Sequence, residues 1–405
     1  MTGQPLRVLM INDYGMASGG AELQMLALRD GLRARGHSVR LFTSDAALVP
    51  GFPLLADRSC RGRTDAMQAL SQTVNFSARA ALREELAAYP PDVVHIRMFL
   101  WQLSPLILPV LRDVPVLFQA AVYKAICPNG MKLRPDGSDC NVPAGRVCLT
   151  EGCVARATWA STMVQLALVR RWRGAIDTVS ALSRRMAEKF EAEGWGNVRV
   201  LPNGVDEAPM RPALPTEPIV AYAGRLSREK GVGILLDAFT RVAADIPAAR
   251  LVIAGTGPLE AELRSRAAPL GDRVVFLGHL PRPDMEERFR SAWVQVVPSL
   301  WHEPFGNVTT EAMMRGTAVI AADVGGQSDI TRDGQTGYLV PPGDVTALAE
   351  RLRLVLSDRD HAEALGRAGR ETALREYSRA RSVEQTLDAY RDTIARFSAK
   401  ARVAA

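Results

Sequence analysis

Short apolar runs alternate with helical patterns along most of the chain, and this alternation is the feature that most limits its fold. Runs rich in Val, Ile and Leu are typical of parallel strands that are buried on both faces. The first series of predicted strands covers residues 6–11, 38–43, 92–96, 116–120 and 177–179, and the second covers residues 219–222, 250–254, 273–276, 293–297 and 318–321. Each series predicts a doubly wound, Rossmann-like α/β domain.

Two such domains fit the length of 405 residues. A segment with three prolines and no clear periodicity, residues 206–216, marks the boundary between them. We therefore expect one domain over residues 1–206 and a second over residues 207–377. Residues 378–405 have the pattern of a long amphipathic helix.

The segment from Glu303 to Glu311, with the sequence EPFGNVTTE, follows a predicted strand and opens a predicted helix. Ligands of open α/β sheets bind at the carboxyl ends of the strands, where this loop lies. The amides of Phe305, Gly306, Asn307 and Val308 would form a helix N-terminus, which attracts phosphate. Taken alone, the pair of glutamates is a weak signal, because Glu303 is also compatible with a solvated loop residue and Glu311 with a helix cap or a surface charge.

The segment from Gly224 to Gly231 has the same position after the first strand of the second series. Arg225 and Lys230 lie between its two glycines, so the loop can bring both cations to one diphosphate. The alternative is a pair of solvated loop cations, which is the usual environment of Arg and Lys.

A third segment, Ser18-Gly19-Gly20-Ala21-Glu22, follows the first predicted strand. Adjacent glycines let the backbone approach a ligand closely at a helix N-terminus, although an ordinary tight turn has the same composition. The segment lacks the G-x-G-x-x-G fingerprint, which argues against a dehydrogenase.

Together these segments resemble the family-4 retaining glycosyltransferases, whose GT-B fold has two Rossmann-like domains facing each other across a cleft. The resemblance covers nearly the whole chain. It also includes Ser183, residues 201–206 (LPNGVD), residues 255–258 (GTGP) and residues 278–280 (GHL). It implies a retaining glycosyltransferase that moves a sugar from a nucleotide-diphosphate sugar to an unidentified acceptor in the interdomain cleft. In this family the N-terminal domain lies on the acceptor side, the C-terminal domain binds the nucleotide sugar, and the last helix crosses back to the N-terminal domain.

The resemblance also assigns roles to individual residues. Gly20 and Gly224 would lie at the donor phosphates, with Arg225 and Lys230 binding the diphosphate. Glu303 would contact the donor sugar and Glu311 the ribose, while the backbone near His279 would meet the base. The amides from Phe305 to Val308, including Gly306 and Asn307, would hold phosphate and sugar. Such enzymes commonly need neither a divalent cation nor a protein nucleophile, and their acceptors include small molecules, lipid carriers and glycans.

Ala121 is a departure from the family pattern, because related sequences usually carry a His at this position. A methyl group cannot replace imidazole in any polar role. Two alternatives therefore stay open: a non-catalytic protein that binds a sugar nucleotide or a partner, and a retaining glycoside phosphorylase on the same scaffold.

Four of the five cysteines, Cys127, Cys140, Cys148 and Cys153, lie in a Gly- and Pro-containing insertion at residues 124–156. Four thiolates can bind a structural zinc ion, although only the last pair approaches the usual spacing. The pattern is equally compatible with four reduced, partly buried thiols.

The charge pattern limits the partners of the chain. The net charge is only +6, and no dense Lys/Arg tract is present, so we expect no nucleic-acid partner. Residues 164–173 (VQLALVRRWR) could rest on an anionic membrane, but a helix of the N-terminal domain with a basic end is favoured. No apolar run reaches the length of a transmembrane helix, and residues 1–10 do not resemble a signal peptide, so we expect a cytoplasmic protein.

Overall fold

A computed structural model describes residues 4–17, 19–47 and 51–404 of the chain. The chain forms two compact units. Unit 1 comprises Met1–Gly204 and Arg379–Ala405, and unit 2 comprises Val205–Ser378.

Unit 1 contains a sheet of seven parallel strands in the order β3-β2-β1-β4-β5-β6-β7. The strands are β1 (Arg7–Tyr14), β2 (Ser38–Ser44), β3 (Arg58–Cys60), β4 (Val93–Ile96), β5 (Val116–Ala120), β6 (Thr178–Ala181) and β7 (Arg199–Val200). Central strands such as β4 and β5 are buried along their whole length, which explains why they are apolar except for His95 and Gln119. Between the strands lie α1 (Gly20–Arg33), α2 (Gln68–Ser71), α3 (Phe76–Ala88), α4 (Val147–Thr150), α5 (Arg156–Trp172) and α6 (Arg184–Ala192).

Unit 2 contains a sheet of six parallel strands in the order β10-β9-β8-β11-β12-β13. The strands are β8 (Ile219–Ala223), β9 (Arg250–Ala254), β10 (Val274–Gly278), β11 (Val294–Val297), β12 (Ala318–Ala322) and β13 (Gly337–Val340). Its helices are α7 (Val232–Asp245), α8 (Glu260–Ala267), α9 (Arg282–Phe289), α10 (Asn307–Arg315), α11 (Gln327–Ile330), α12 (Val345–Ser357) and α13 (Arg359–Glu376). The predicted α/β class with two doubly wound sheets is confirmed.

The last helix, α14 (Arg379–Ala404), belongs to unit 1. Val383, Leu387 and Tyr390 bury their side chains in the hydrophobic core that includes β1 and β2. The Tyr390 hydroxyl lies 2.8 Å from Nδ1 of His95 on β4, so a polar contact also fixes the helix on the sheet.

The strand orders place one switch point in each sheet. Strand order reverses between β1 and β4 in unit 1, and between β8 and β11 in unit 2. In open α/β sheets the crevice beyond the carboxyl ends of these two strands is the usual ligand site.

Segment 164–173 lies in α5 and the turn that follows it, and Leu166 and Val169 are buried within unit 1. In the described part of the chain, no helix is both long enough and apolar enough to cross a membrane.

Candidate functional site

The loops after β8 and β11 pack directly against each other at the switch point of unit 2. Gly231 has a φ of +68°, and a Cβ atom there would lie only 1.8 Å from the carbonyl oxygen of Pro298. The amide of Leu300 donates a hydrogen bond of 2.8 Å to the carbonyl of Glu229. Only glycine allows this close approach, which brings the two predicted loops together.

Lys230 and Glu303 form an ion pair across these loops. The Lys230 ammonium lies 2.8 Å from Oε1 of Glu303, and the Ser299 hydroxyl donates to the same oxygen. The side-chain amide of Gln327 lies 3.4 Å from the other carboxylate oxygen. The Glu303 side chain is 9% exposed and that of Lys230 is 28% exposed, so the carboxylate is held in a fixed position at the edge of the sheet.

The backbone around Glu303 is equally constrained. Its carbonyl accepts a hydrogen bond of 2.8 Å from Gly326, and the ring of Phe305 packs edge-on against Tyr377 at 5.8 Å. Gly306 has a φ of +148° and directly precedes α10, whose first residues are Asn307 and Val308. The first amides of a helix attract anions, so this turn can hold a phosphate beside Glu303.

Arg225 is exposed on the same side of unit 2, in the loop after Gly224. Its guanidinium takes part in no ion pair within the described residues. The loop therefore presents a cation that can bind an anionic ligand, while Lys230 is already paired with a carboxylate.

Glu311 lies one turn further along α10 and contacts a different cation. Its carboxylate is 3.7 Å from the guanidinium of Arg282 at the start of α9. Burial raises the pKa of Glu311, and Arg282 opposes this shift. His279 follows β10 and is exposed, and the carbonyl of the preceding Gly278 accepts a hydrogen bond of 2.7 Å from the amide of Gly255.

In unit 1, Gly20 opens α1 and Gly19 is its N-cap. Ser18 lies outside the described residues. Ala121 is buried in a cluster with Tyr14, Ala46 and Met98.

The four cysteines that the sequence offers as zinc ligands lie near one another, since burial and then Cys148, Cys140 and Cys127 raise the pKa of the Cys153 thiol. Cys127, Cys140, Cys148 and Cys153 are free thiols, and no group of three or more His, Cys, Asp or Glu side chains in the described ranges could hold a metal ion.

Two ion pairs connect the insertion to the end of α6. The Lys132 ammonium lies 2.6 Å from a Glu193 oxygen, and the Lys189 ammonium lies 2.7 Å from an Asp139 oxygen. The sequence alone did not predict these contacts of the insertion with Lys189 on α6 and with Glu193, the residue after α6.

Sequence reasoning missed several polar residues near the switch points. In unit 2 these are Ser299, Gln327 and Arg282, and in unit 1 they are Asp13, Arg97 and Lys124. Ser299, Arg97 and Asp13 each follow a predicted strand, but no motif singled them out. Gln327 had no sequence signal, because its contact depends on how two loops pack.

Comparisons with known proteins cover almost the whole chain. A family model described as glycosyl transferases group 1 matches residues 206–372, and a glycosyl transferase 4-like domain matches residues 19–204. A phosphatidyl-myo-inositol mannosyltransferase of Mycobacterium leprae is 29% identical over 98% of this chain and 100% of its own length. An alpha-maltose-1-phosphate synthase of Mycobacterium tuberculosis is 33% identical over 58% of this chain and 67% of its own length.

Solved structures share the fold. The sucrose-phosphate synthase of Thermosynechococcus elongatus is similar with a TM-score of 0.68 and 24% identity, over 96% of this chain and 99% of that structure. The Anabaena HepE protein, solved with UDP and glucose, gives a TM-score of 0.67 with 18% identity, over 96% of this chain and 100% of that structure.

Proposed function

Because this chain belongs to the group 1 glycosyltransferase family and has its GT-B fold, we propose that it transfers a sugar from a nucleotide-diphosphate sugar to an acceptor, with retention of anomeric configuration. The observation that supports this most is the Lys230–Glu303 pair beside the start of α10, at the switch point of unit 2. We assign the nucleotide sugar to unit 2 and the acceptor to unit 1.

The leaving group of this reaction is a nucleoside diphosphate, so negative charge develops on its phosphate oxygens. Fixed cations and amide dipoles stabilise such charge without reorganising. Arg225 and Lys230 would supply the cations, and the amides from Phe305 to Val308 would supply the dipoles. Gly20 at the start of α1 would contribute a further close backbone approach to the phosphates.

The carboxylates have different tasks in this proposal. Glu303 would accept hydrogen bonds from the hydroxyls of the donor sugar, since Lys230, Ser299 and Gln327 already hold it in place. Glu311 would accept hydrogen bonds from the ribose hydroxyls, and the backbone near His279 would contact the base.

Neither a protein nucleophile nor a divalent cation is part of the proposed mechanism. The acceptor hydroxyl would attack the anomeric carbon on the face that the diphosphate leaves. A phosphate oxygen of the leaving group would take the acceptor proton as the glycosidic bond to phosphate breaks. The task of the protein is then to orient the two substrates and stabilise the departing diphosphate.

A donor panel tests the proposal. Purified protein is mixed with UDP-, GDP-, ADP- and TDP-sugars, and both the melting temperature and the release of free nucleotide are measured. A true donor raises the melting temperature by mass action and is slowly hydrolysed. A rise in melting temperature without nucleotide release in any acceptor screen would indicate a non-catalytic binding protein. The apolar surroundings of Ala121 make this the leading alternative. Phosphate-dependent cleavage of a disaccharide would indicate a phosphorylase.

A further inference from the structure

Exposed apolar side chains are concentrated on one part of unit 1. Among the described residues thirteen large hydrophobic side chains are exposed, and four of them lie within ten residues of sequence: Met67, Leu70, Val74 and Phe76. Phe76 is 69% exposed and Leu70 is 57% exposed. Single exposed apolar residues are normal on a protein surface, but a concentration of them marks a surface that binds something else.

Met67, Leu70 and Val74 share one face of the helical segment that contains α2. The amide of Leu70 donates a hydrogen bond of 3.1 Å to the carbonyl of Met67, and the amide of Val74 donates one of 2.8 Å to the carbonyl of Leu70. Residues three and four apart are neighbours on a helix, so the three side chains form one stripe. Gln72 and Thr73 are buried and attach the segment to α5.

Helix α5 carries a second exposed stripe beside the first. The Thr73 hydroxyl donates a hydrogen bond of 3.2 Å to the carbonyl of Ser161, and the side-chain amide of Gln165 donates one of 2.5 Å to the carbonyl of Gln72. Val164 lies next to these contacts on the helix surface and is 50% exposed. The whole stripe repeats at intervals of three and four residues and comprises Ala157, Ala160, Val164 and Ala167. We call the two stripes together with Phe76 the apolar face.

The charges around the apolar face are almost all positive. Residues 61–80 and 156–173 contain seven arginines and one aspartate, which gives these two segments a net charge of +6. This equals the net charge of the entire chain, so the acidic and basic residues of the rest of the chain balance each other. The single aspartate, Asp65, is already paired with Arg63 at 2.6 Å.

Three of these arginines are exposed at the edges of the apolar face. Arg156 is the first residue of α5 and Arg171 lies in its last turn, four residues after Ala167 on the exposed stripe. The carbonyl of Arg61 accepts a hydrogen bond of 3.4 Å from the side-chain amide of Asn75, the residue before Phe76. Within the part of the chain that the structure describes, these three arginines form no ion pair.

We infer that the apolar face binds unit 1 to the surface of a membrane that contains anionic lipids. The apolar side chains enter the boundary between headgroups and acyl chains, and the arginines contact lipid phosphates. A second copy of the chain is a poorer occupant, because a two-fold contact would place the same arginines against each other. No residue of the proposed donor site takes part, so the inference goes beyond the proposed sugar transfer and does not depend on it.

Co-sedimentation of the full chain with vesicles tests the inference. Vesicles of phosphatidylcholine alone are compared with vesicles of phosphatidylcholine and phosphatidylglycerol in equal parts. We expect the anionic vesicles to bind the protein about tenfold or more tightly than the neutral ones. Binding should fall steeply between 0.1 M and 1 M salt, since the Debye length decreases from about 10 Å to about 3 Å.

A charge variant tests the arginines. Arg156→Gln combined with Arg171→Gln should weaken binding to anionic vesicles about twentyfold, because each arginine near an anionic surface contributes about fivefold. Arg359→Gln, a change of an exposed arginine at the start of α13 in unit 2, is the matched control and should leave binding unaltered.

A second variant tests the apolar side chains. Leu70→Ser combined with Phe76→Ser should weaken binding about tenfold or more, since two large apolar groups no longer leave water. Leu354→Ser, a change of a 44% exposed leucine on α12, is the matched control. All of these positions are exposed, so each variant should melt within about 2 °C of the unaltered protein.

Equal binding to neutral and anionic vesicles, or no binding to either at 0.1 M salt, would overturn the inference. Vesicle binding that neither double variant weakens would also overturn it, because another surface would then carry the contact. Sedimentation equilibrium without lipid tests the second copy: a dimer that Leu70→Ser and Phe76→Ser dissociate, with no vesicle binding, would assign the face to a protein contact. No nucleotide sugar is present in these measurements, so failure of the proposed sugar transfer leaves their outcome unchanged.

Discussion

Replacing Lys230 by Met removes the cation that pairs with Glu303 and keeps a side chain of similar length. Losing one partner of a fully buried ion pair typically costs about 3–5 kcal/mol. Lys230 keeps 28% of its side chain exposed, so we reduce the expected loss of unfolding free energy to about 1–3 kcal/mol. For a domain of this size, each kcal/mol lowers the melting temperature by about 2–4 °C.

The loss of activity should be larger than the loss of stability. In the proposed function Lys230 stabilises the charge that develops on the leaving diphosphate, and removing one such preorganised contact costs about 10²–10³ in kcat, or about 3–4 kcal/mol. The assay is release of nucleotide from the donor that the panel identifies, at a temperature at which circular dichroism shows the variant to be folded. Arg228→Met, which removes an exposed cation two residues earlier, is the matched control and should retain normal turnover.

Turnover of Lys230→Met within about threefold of the unaltered protein, a difference of about 0.6 kcal/mol, would refute this reasoning. So would an equal loss in Arg228→Met, because the effect would then come from general loop charge.

Two further predictions concern stability. Gly231→Ala should destabilise unit 2 by more than about 3 kcal/mol, because the new Cβ would lie 1.8 Å from the Pro298 carbonyl oxygen and the backbone at this residue is left-handed. A urea unfolding curve that matches that of the unaltered protein would contradict this prediction. Burial lowers the pKa of His95 to about 3, so below pH 6.5 the unfolded state binds a proton that the folded state does not bind. When the pH falls from 7 to 4, this residue therefore lowers the free energy of unfolding by about 3 kcal/mol. Asp13, whose pKa is raised to about 6, changes the free energy of unfolding in the opposite sense over this pH range. The effect of His95 is therefore measured as the difference in free energy of unfolding between the unaltered protein and His95→Gln, and a difference that does not change with pH would contradict the prediction.

The sequence was most informative where a single physical rule determines the outcome. Buried parallel strands need continuous apolar runs, and the observed strands Val116–Ala120 and Arg250–Ala254 have the predicted bounds. Helix Arg359–Glu376 was missed, because only Asp358 separates it from the preceding helix. The Asp358 side chain accepts a hydrogen bond from the His361 amide and caps the second helix there.

The candidate site was predictable only in part, because local sequence does not determine how loops pack against each other. Position after a strand placed Lys230 and Glu303 at the same edge of one sheet, and the structure brings them into contact. The contact of Gln327 with Glu303 depends on two loops that are 24 residues apart. The cysteine spacing was equally compatible with a zinc site and with reduced thiols, and it gave no signal for the ion pair between Lys132 and Glu193 at the insertion.

The unusual polar residues of unit 1 show the same limit. Lys124 is one of only five lysines in the chain, and nothing in its neighbouring sequence indicates that it is buried. Its burial follows from the insertion after β5, which folds Pro128 back over the ammonium.

Hydrogen-exchange mass spectrometry with and without the identified nucleotide sugar tests the central claim most directly. If unit 2 binds the donor through the site proposed above, amides in residues 224–231 and 303–308 exchange more slowly in the presence of the donor. Glu303→Gln, which keeps the shape of the side chain and removes its charge, should reduce this protection. Protection confined to other segments, or no protection while the donor is turned over, would contradict the account.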